Sequence, residues 1–195
     1  MSAGSPTMAG KKTSARDRLL AAADELFYAE GVHTVGIDRV IEKAGVAKAS
    51  LYSCFGSKDE LIRAYLEGRR EQRRQRLLTG LERFTTPRDR LLGVFDLLAE
   101  RAGEPNYRGC AFYNAAAESE PGGVADEVSQ ANRAWTRGLF AQLAAEAGVP
   151  DPEALAAQLL ILYDGGSAGA RLDGGSTPAL RCRAMAAVLL DAALA

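Results

Sequence analysis

Residues 36–61, GIDRVIEKAGVAKASLYSCFGSKDEL, decide the fold of this chain. Apolar residues recur at positions i, i+3, i+4 and i+7 from Ile37 to Ala44, which is the pattern of a helix with one buried face. Gly45 follows, and a helix ends most easily in the left-handed conformation at a residue without Cβ. A second short helix is predicted from about Ala47 to Phe55. The stretch therefore predicts two helices joined by a tight turn.

The second of these helices has two faces of different chemistry. Leu51, Cys54 and Phe55 form the face that is predicted to be buried. The other face is small, polar, basic and aromatic, which suits a helix lying in the major groove of DNA. We predict that DNA is bound by this face, by one residue before the first helix and by one residue after the second. The predicted DNA-binding residues are Gly36, Lys48, Ala49, Ser50, Tyr52, Ser53 and Lys58.

A capping signal follows directly, at Ser57. The pattern S-x-x-E from Ser57 to Glu60 is a capping box, which satisfies free N–H groups at the start of a helix. Lys58 lies in the first turn of that helix, where the positive end of the helix favours a contact to a DNA phosphate. With an earlier helix capped by Ser14, the spacing predicts a helix-turn-helix followed by a fourth helix.

The order AGVAKASLYxxFxSKDEL resembles the N-terminal signature of the TetR/AcrR-like family of transcriptional regulators. The matching features are the turn Ala44-Gly45-Val46, the pair Leu51-Tyr52, Phe55, and Ser57-Lys58. The resemblance covers residues 14–66 closely and the remaining chain through its length and helical pattern. Two positions depart from the family pattern. Val35-Gly36 stands where the family usually has Thr, and Cys54 where it has His or an aromatic residue.

The predicted fold class is all-α, with about nine helices and no convincing strand. Residues 1–12 are rich in Ser, Gly, Pro and Lys, and we expect a disordered N-terminal arm there. Residues 13–60 are predicted to form the helix-turn-helix DNA-binding domain. The resemblance implies that residues 61–195 form a helical domain for effector binding and dimerisation.

The distribution of charges and the number of cysteines restrict the classes of function that fit the chain. Residues 1–80 contain 14 Lys and Arg against 10 Asp and Glu, whereas residues 81–195 contain 10 against 15. A basic N-terminal part fits the phosphate backbone of DNA. Three scattered cysteines and a single histidine, His33, give neither a disulfide framework nor a zinc spacing. We expect no catalytic residue, no metal, no cofactor and no membrane segment, and hence a cytoplasmic protein.

The last two predicted helices are rich in Gly and Ala. A Gly inside a helix costs roughly 1 kcal/mol relative to Ala, and the close approach of another helix is the usual compensation. In the family that the chain resembles, the last two helices of each subunit form a four-helix dimer bundle. The resemblance thus implies a homodimer, with the interface candidates Leu159, Leu162, Tyr163, Gly166, Gly169, Met185, Val188 and Leu189.

Aromatic and polar residues collect elsewhere in the second part of the chain. They resemble the lining of the family's ligand cavity, which is apolar with a few hydrogen-bonding groups. The pocket candidates are Phe95, Tyr107, Phe112, Tyr113, Asn114 and Trp135. The fourth helix is predicted to couple the pocket to DNA, as the one segment that obviously touches both domains. Its five arginines between residues 69 and 76 are predicted to form a solvated face paired with Glu.

These observations favour a homodimeric, DNA-binding transcriptional regulator. In this hypothesis it is a repressor that leaves a near-palindromic operator when a small, largely apolar ligand binds. One alternative is a regulator controlled by a protein partner or by oxidation of Cys54. Another, from a different class, is a helical binding protein or enzyme whose helix-turn-helix is only structural.

Overall fold

The computed structural model describes residues 13–195, and the predicted arm at residues 1–12 lies outside the described residues. Over that range the chain folds into nine α-helices without strands, which confirms the all-α prediction. The helices are α1 (Ala15–Glu30), α2 (Ile37–Ala44), α3 (Lys48–Phe55), α4 (Lys58–Leu81), α5 (Pro87–Ala102), α6 (Ala111–Glu118), α7 (Val124–Glu146), α8 (Pro152–Asp173) and α9 (Thr177–Leu194). In the part of the chain that the structure covers, no helix is both long and apolar enough to cross a membrane.

Side-chain caps determine where several helices begin. At the start of α1, Ser14 and Asp17 bond each other's backbone N–H groups, which is a complete capping box. At the start of α4, Ser57 Oγ accepts the N–H of Glu60 at 3.1 Å. Asp151 caps α8 in the same way, with Pro152 at the first helical position. The caps predicted at Ser14 and Ser57 are therefore present, although at Ser57 only the serine half of the predicted capping box forms.

Two large hydrophobic cores and one small cluster, formed by Leu98, Ala99 and Ala179, lie in the described part of the molecule. The first core is formed by α1, α2, α3 and the first half of α4, and it includes Leu19, Val40, Leu51 and Leu61, all without exposed surface. Its members from beyond α4 are Ala111, Phe112, Ala115, Ala125 and Val128. The DNA-binding end of the molecule is therefore completed by residues of α6 and of the start of α7.

The second core joins the far end of α4 to α5, α7, α8 and α9. Phe95 of α5 and Phe140 of α7 have no exposed surface, and their ring centroids lie 5.6 Å apart. From α4, Leu77 and Leu81 enter this core, whereas Tyr65 and Leu66 belong to the first. Helix α4 thus has one half in each core. The domain boundary at residue 60 stays a prediction, but the buried contacts continue across it.

Two of the five arginines of α4 do not belong to the solvated face that was predicted. Arg69 binds the carboxylate of Asp24 of α1 through two hydrogen bonds, of 2.7 Å from Nε and 2.9 Å from Nη2. Arg73 donates from Nη1 to Asn132 Oδ1 at 3.2 Å and to Thr136 Oγ1 at 3.0 Å, both on α7. The prediction was wrong for these two residues because helical spacing cannot distinguish a solvated arginine from one that joins neighbouring helices.

Helix α6 is attached at one end to α1 and at the other end to the loop that follows α1. Tyr28 Oη of α1 donates to Gly109 O at 3.1 Å and accepts the N–H of Arg108 at 2.9 Å, just before α6 begins. At its last residue, Glu118 Oε2 accepts the backbone N–H of His33 at 3.1 Å. The prediction that α4 is the one segment that obviously touches both domains is therefore wrong, because α6 and α7 also contact both parts of the molecule.

Gly31, at the end of α1, makes the second attachment possible. Its φ of 100° is a conformation that residues with a Cβ rarely adopt. A Cβ built there would lie 2.5 Å from Glu118 Oε1. A side chain at position 31 would thus displace the carboxylate that accepts the N–H of His33.

Candidate nucleic-acid interface

The tight turn between α2 and α3 places α3 on the surface. Gly45 has φ 61° and ψ 45°, the left-handed conformation predicted for it, and its N–H bonds to the carbonyls of Ile41 and Glu42. Arg18 of α1 donates from Nη1 to the carbonyl of Gly45 at 3.1 Å. Helix α3 is therefore held against α1 through the turn as well as through its buried face.

Helix α3 has the two faces that its sequence predicts. Leu51 is fully buried and Phe55 is 9% exposed, so both anchor the helix in the first core. Tyr52 on the outer face is 47% exposed. Of the other predicted DNA-binding residues, Gly36, Lys48, Ala49 and Ser53 are exposed, and Ser50 and Lys58 are partly buried. Their contacts with DNA stay predictions.

Lys58 stands in the first turn of α4, next to the end of α3. Partial burial lowers the pKa of its ammonium group, while the neighbouring carboxylates of Asp59 and Glu118 act in the opposite direction. The start of a helix attracts anions in general. The predicted contact of Lys58 with a DNA phosphate, which would favour the charged ammonium group, stays a prediction.

Sequence reasoning missed an ion pair on this surface. Lys48 Nζ of α3 donates to Asp38 Oδ1 of α2 at 3.0 Å, and this hydrogen bond raises the pKa of Lys48. The two residues are ten positions apart across the turn, so no helical period connects them. The signal available in the sequence was weaker: each residue is in the first turn of its helix, and the two helices are consecutive.

The six predicted pocket residues do not converge on one cavity. Phe112 packs in the first core, whereas Phe95 packs in the second core, with Trp135 against it. Tyr113, next to Phe112, is 71% exposed. Aromatic residues at helical spacing are often ordinary core residues, and here they serve two separate cores.

Tyr107 and Asn114 use their polar groups within the chain. Tyr107 Oη lies 2.8 Å from Ser167 Oγ on α8, and burial raises the pKa of Tyr107 to about 12. Asn114 Nδ2 donates to the carbonyl of Arg108 at 2.9 Å. Arg171 of α8 donates to the same carbonyl at 2.8 Å. These groups tie the segment before α6 to α8 and leave the pocket assignment in need of revision.

The predicted dimer residues fall into two groups. Met185 and Val188 of α9 are 53% and 68% exposed. Leu159 and Gly166 are buried in the protomer, and Leu162, Tyr163, Gly169 and Leu189 are partly buried. A Cβ at Gly169 would lie 2.9 Å from Pro178 Cβ, and one at Gly166 would lie 3.3 Å from Cys182 Sγ. Close helix packing does explain these glycines, but the neighbouring helix is α9 of the same chain.

An apolar stripe remains exposed on α8 and α9. Over residues 13–195, six of the nine exposed large apolar side chains lie on these two helices: Ile161, Leu172, Leu180, Met185, Val188 and Leu194. On α8, the exposed Gly165 and Ala168 lie between Ile161 and Leu172 at helical spacing. Apolar stripes of this kind usually mark protein–protein contact.

A groove of about 180 Å³ lies beside α3, and its lining residues are Arg16, Cys54, Phe55, Glu60, Arg63, Ala64 and Glu67. Cys54 is partly buried and packs against the first core.

No cluster of three or more His, Cys, Asp or Glu suited to a metal ion occurs among the residues that the structure covers. The surface around α3 thus offers polar, basic and aromatic groups for binding.

Comparison with known proteins agrees with this arrangement. Residues 19–65 match the family model described as bacterial regulatory proteins, tetR family. A solved TetR-family transcriptional regulator from Streptomyces coelicolor superimposes with a TM-score of 0.86 at 32% identity, covering 92% of this chain and 95% of that one. A solved structure from Streptomyces avermitilis gives 0.83 at 35% identity, covering 92% and 98%.

Curated relatives match mainly in the N-terminal part. The HTH-type transcriptional activator FasR of Mycolicibacterium smegmatis is 46% identical over 52 residues, which are 27% of this chain and 24% of FasR. The chain thus matches about a quarter of the length of that relative. The full-length structural matches above 30% identity carry the assignment. The chain belongs to the TetR family of DNA-binding, helix-turn-helix transcriptional regulators.

Proposed function

We propose that the protein is a homodimeric repressor that binds a near-palindromic operator and is released from it by a small, largely apolar effector. The observation that carries the proposal is the presence of two separate exposed surfaces. The polar outer face of α3 is exposed beside the first core, and the apolar stripe is exposed on α8 and α9, which belong to the second core. One surface suits DNA and the other suits a second copy.

A dimer formed through the stripe presents two copies of α3 to one duplex. Two recognition helices enter successive major grooves when they lie about 34–36 Å apart, so the operator is expected to be a near-palindrome. Selection of bound sites from random duplex DNA tests this part of the proposal. Enrichment of a single, non-repeated half-site would contradict it.

The sign of regulation is a separate part of the proposal. FasR is described as an activator, so relatives of this chain need not repress. Transcription in vitro from a promoter that overlaps the selected site measures the sign directly. We expect less transcript with the protein than without it, because a bound dimer excludes polymerase from the promoter. More transcript would contradict repression.

Lys58 is expected to contribute a contact to the phosphate backbone. Replacing Lys58 with Ala is expected to weaken binding to all duplexes alike and to reduce the slope of log affinity against log salt by about 1. Affinities measured at several salt concentrations test this. Lys43→Ala is the matched control, since Lys43 pairs with Glu25 of α1 at 2.6 Å. An unchanged slope for Lys58→Ala would argue against the contact.

The proposed effector site is in the second core next to Trp135. The Arg73 and Arg74 guanidinium carbons of α4 lie 5.7 Å and 5.1 Å from the Trp135 ring. A ligand that separates α7 from α4 would move these arginines and tilt α4, which carries Lys58 at its other end. The ligand shifts the equilibrium only by its difference in affinity for the two states. A shift from 1:99 to 99:1 needs about 5.5 kcal/mol.

Trp135 is the only tryptophan of the chain, so its fluorescence reports on this site. A compound that releases DNA is expected to change the emission of Trp135, because it alters the contacts of the ring with Arg73 and Arg74. Titration of the protein with the compound, in the presence and absence of DNA, measures both effects. Release without any change in emission would place the effector elsewhere.

Helix α6 supports a second route for the signal. The segment before α6 is bonded to α8 through Arg171 and to α1 through Tyr28. A displacement of α8 would therefore reach α1 without passing through α4. In the proposal, α4 and α6 together fix the orientation of α3 relative to the dimer stripe.

A further inference from the structure

The ion pair between Lys48 and Asp38 lies on the surface that is proposed to face DNA. Lys48 is the first residue of α3 and Asp38 is the second residue of α2. Their side chains are 58% and 80% exposed, and Lys48 Nζ lies 3.0 Å from Asp38 Oδ1. In helix-turn-helix proteins the N-terminal residues of the recognition helix contact base edges. The pair is therefore at the edge of α3 that enters the groove.

Stability does not account for this pair. An exposed lysine–carboxylate pair contributes little to folding. Helix α2 is already joined to α1 by two other ion pairs, in which Arg39 binds Glu30 and Lys43 binds Glu25. In addition, Lys48 stands at the positive end of α3, where a cation is disfavoured. The carboxylate of Asp38 offsets the unfavourable interaction between the Lys48 ammonium and the positive end of α3. A lysine is thus kept at a position where it can serve DNA binding.

A carboxylate on this surface also has a cost. Asp38 repels the phosphate backbone, which weakens binding to every sequence alike. An unrestrained lysine would do the opposite, because its ammonium is a mobile point charge that reaches the nearest phosphate. Phosphate contacts carry no sequence information, whereas a lysine directed into the groove can donate to guanine O6 and N7. Asp38 thus lowers the sequence-independent affinity for DNA, and at the same time it restrains the side chain of Lys48.

We propose that Asp38 is a specificity-determining residue, which holds Lys48 toward the base edges and away from the phosphates. The inference rests on the proposed DNA face of α3. Asp38 acts as a positioning residue: one N–H of Lys48 binds Asp38 Oδ1, and its two remaining N–H donors are left for a base.

The test is the isosteric substitution Asp38→Asn. It removes the charge and frees Lys48 for a phosphate, so affinity for unrelated duplex DNA is expected to rise about fivefold to tenfold at 0.15 M salt. The slope against log salt steepens by about 0.9 at the same time, as one added phosphate contact requires. At the base that Lys48 reads, the preference for guanine is expected to fall about fivefold or more. Random-site selection and affinities at several salt concentrations measure these changes.

Two controls separate positioning from a general charge effect. Glu42→Gln removes the same charge from the exposed face of α2, one turn further on. It is expected to leave the guanine preference unchanged. In a Lys48→Ala background, Asp38→Asn is expected to have no effect on base preference. Circular dichroism of each variant verifies that the fold is retained.

The outcomes distinguish this inference from the proposed function. If the unaltered protein enriches no site, the proposed operator binding is overturned, and the inference with it. If it enriches a site and Asp38→Asn retains the same base preferences, only the inference is overturned. A result for Asp38→Asn that matches Glu42→Gln would assign the residue a general charge effect and would likewise overturn the positioning role.

Discussion

The double substitution Ile161→Glu with Val188→Glu is expected to convert the protein to a monomer and to weaken operator binding by about 10²–10⁴-fold. Both side chains belong to the exposed apolar stripe, at 65% and 68% exposure. Four carboxylates would face one another across a symmetric interface, where unpaired charges are costly. The loss in affinity follows because each half-site would then be bound independently, without the gain from linkage.

Light scattering gives the mass of the double variant, and titration with the selected duplex gives its affinity. Leu78→Glu is the matched control: Leu78 is 45% exposed on α4, outside the stripe, and its replacement is expected to leave a dimer. A double variant that keeps the mass of a dimer would show that the two copies meet through another surface.

The substitution Phe112→Ala is expected to lower the free energy of unfolding by about 3–5 kcal/mol. Phe112 is 4% exposed and enters the first core from α6, so its removal leaves a cavity between α6 and the DNA-binding helices. The adjacent aromatic residue provides the control. Tyr113 is 71% exposed, and Tyr113→Ala is expected to change stability by about 0.5 kcal/mol or less.

Urea unfolding at a fixed protein concentration measures both variants, since the stability of a dimer depends on concentration. Similar losses for the two variants would mean that α6 is not anchored through Phe112. Together the two variants also test the original pocket assignment, in which both residues contact a ligand. If Phe112→Ala lowers stability but the effector still releases the variant from DNA as it releases the unaltered protein, Phe112 does not belong to the ligand site.

Sequence alone was sufficient for the local features of the fold. The helix-turn-helix could be predicted because its signals are short-range: apolar residues at helical spacing, Gly45 in the left-handed conformation, and the caps at Ser14 and Ser57. The resemblance of residues 14–66 to one family then specified the topology of the remaining helices. The polar face of α3 followed from the same spacing.

Contacts between distant helices could not be predicted in this way. Gly166 and Gly169 indicated a close helix neighbour, but spacing does not show whether that neighbour belongs to the same chain. Arg69 and Arg73 looked solvated because their partners are 45 and 59 or more positions away. The pairing of Lys48 with Asp38 depends on the angle between α2 and α3, which a one-dimensional pattern does not contain.

The two attachments of α6, to α1 and to the loop after α1, have a consequence for protein engineering. A hybrid regulator could be made by exchanging the helix-turn-helix, here called the reading head, between two relatives. In this chain, a head cut at residue 60 would leave behind the Phe112 side chain and the Glu118 carboxylate that complete it. It would also lose the partner of the Tyr28 hydroxyl. A transplant that keeps this head intact must therefore carry the segment from Arg108 to Val128 as well.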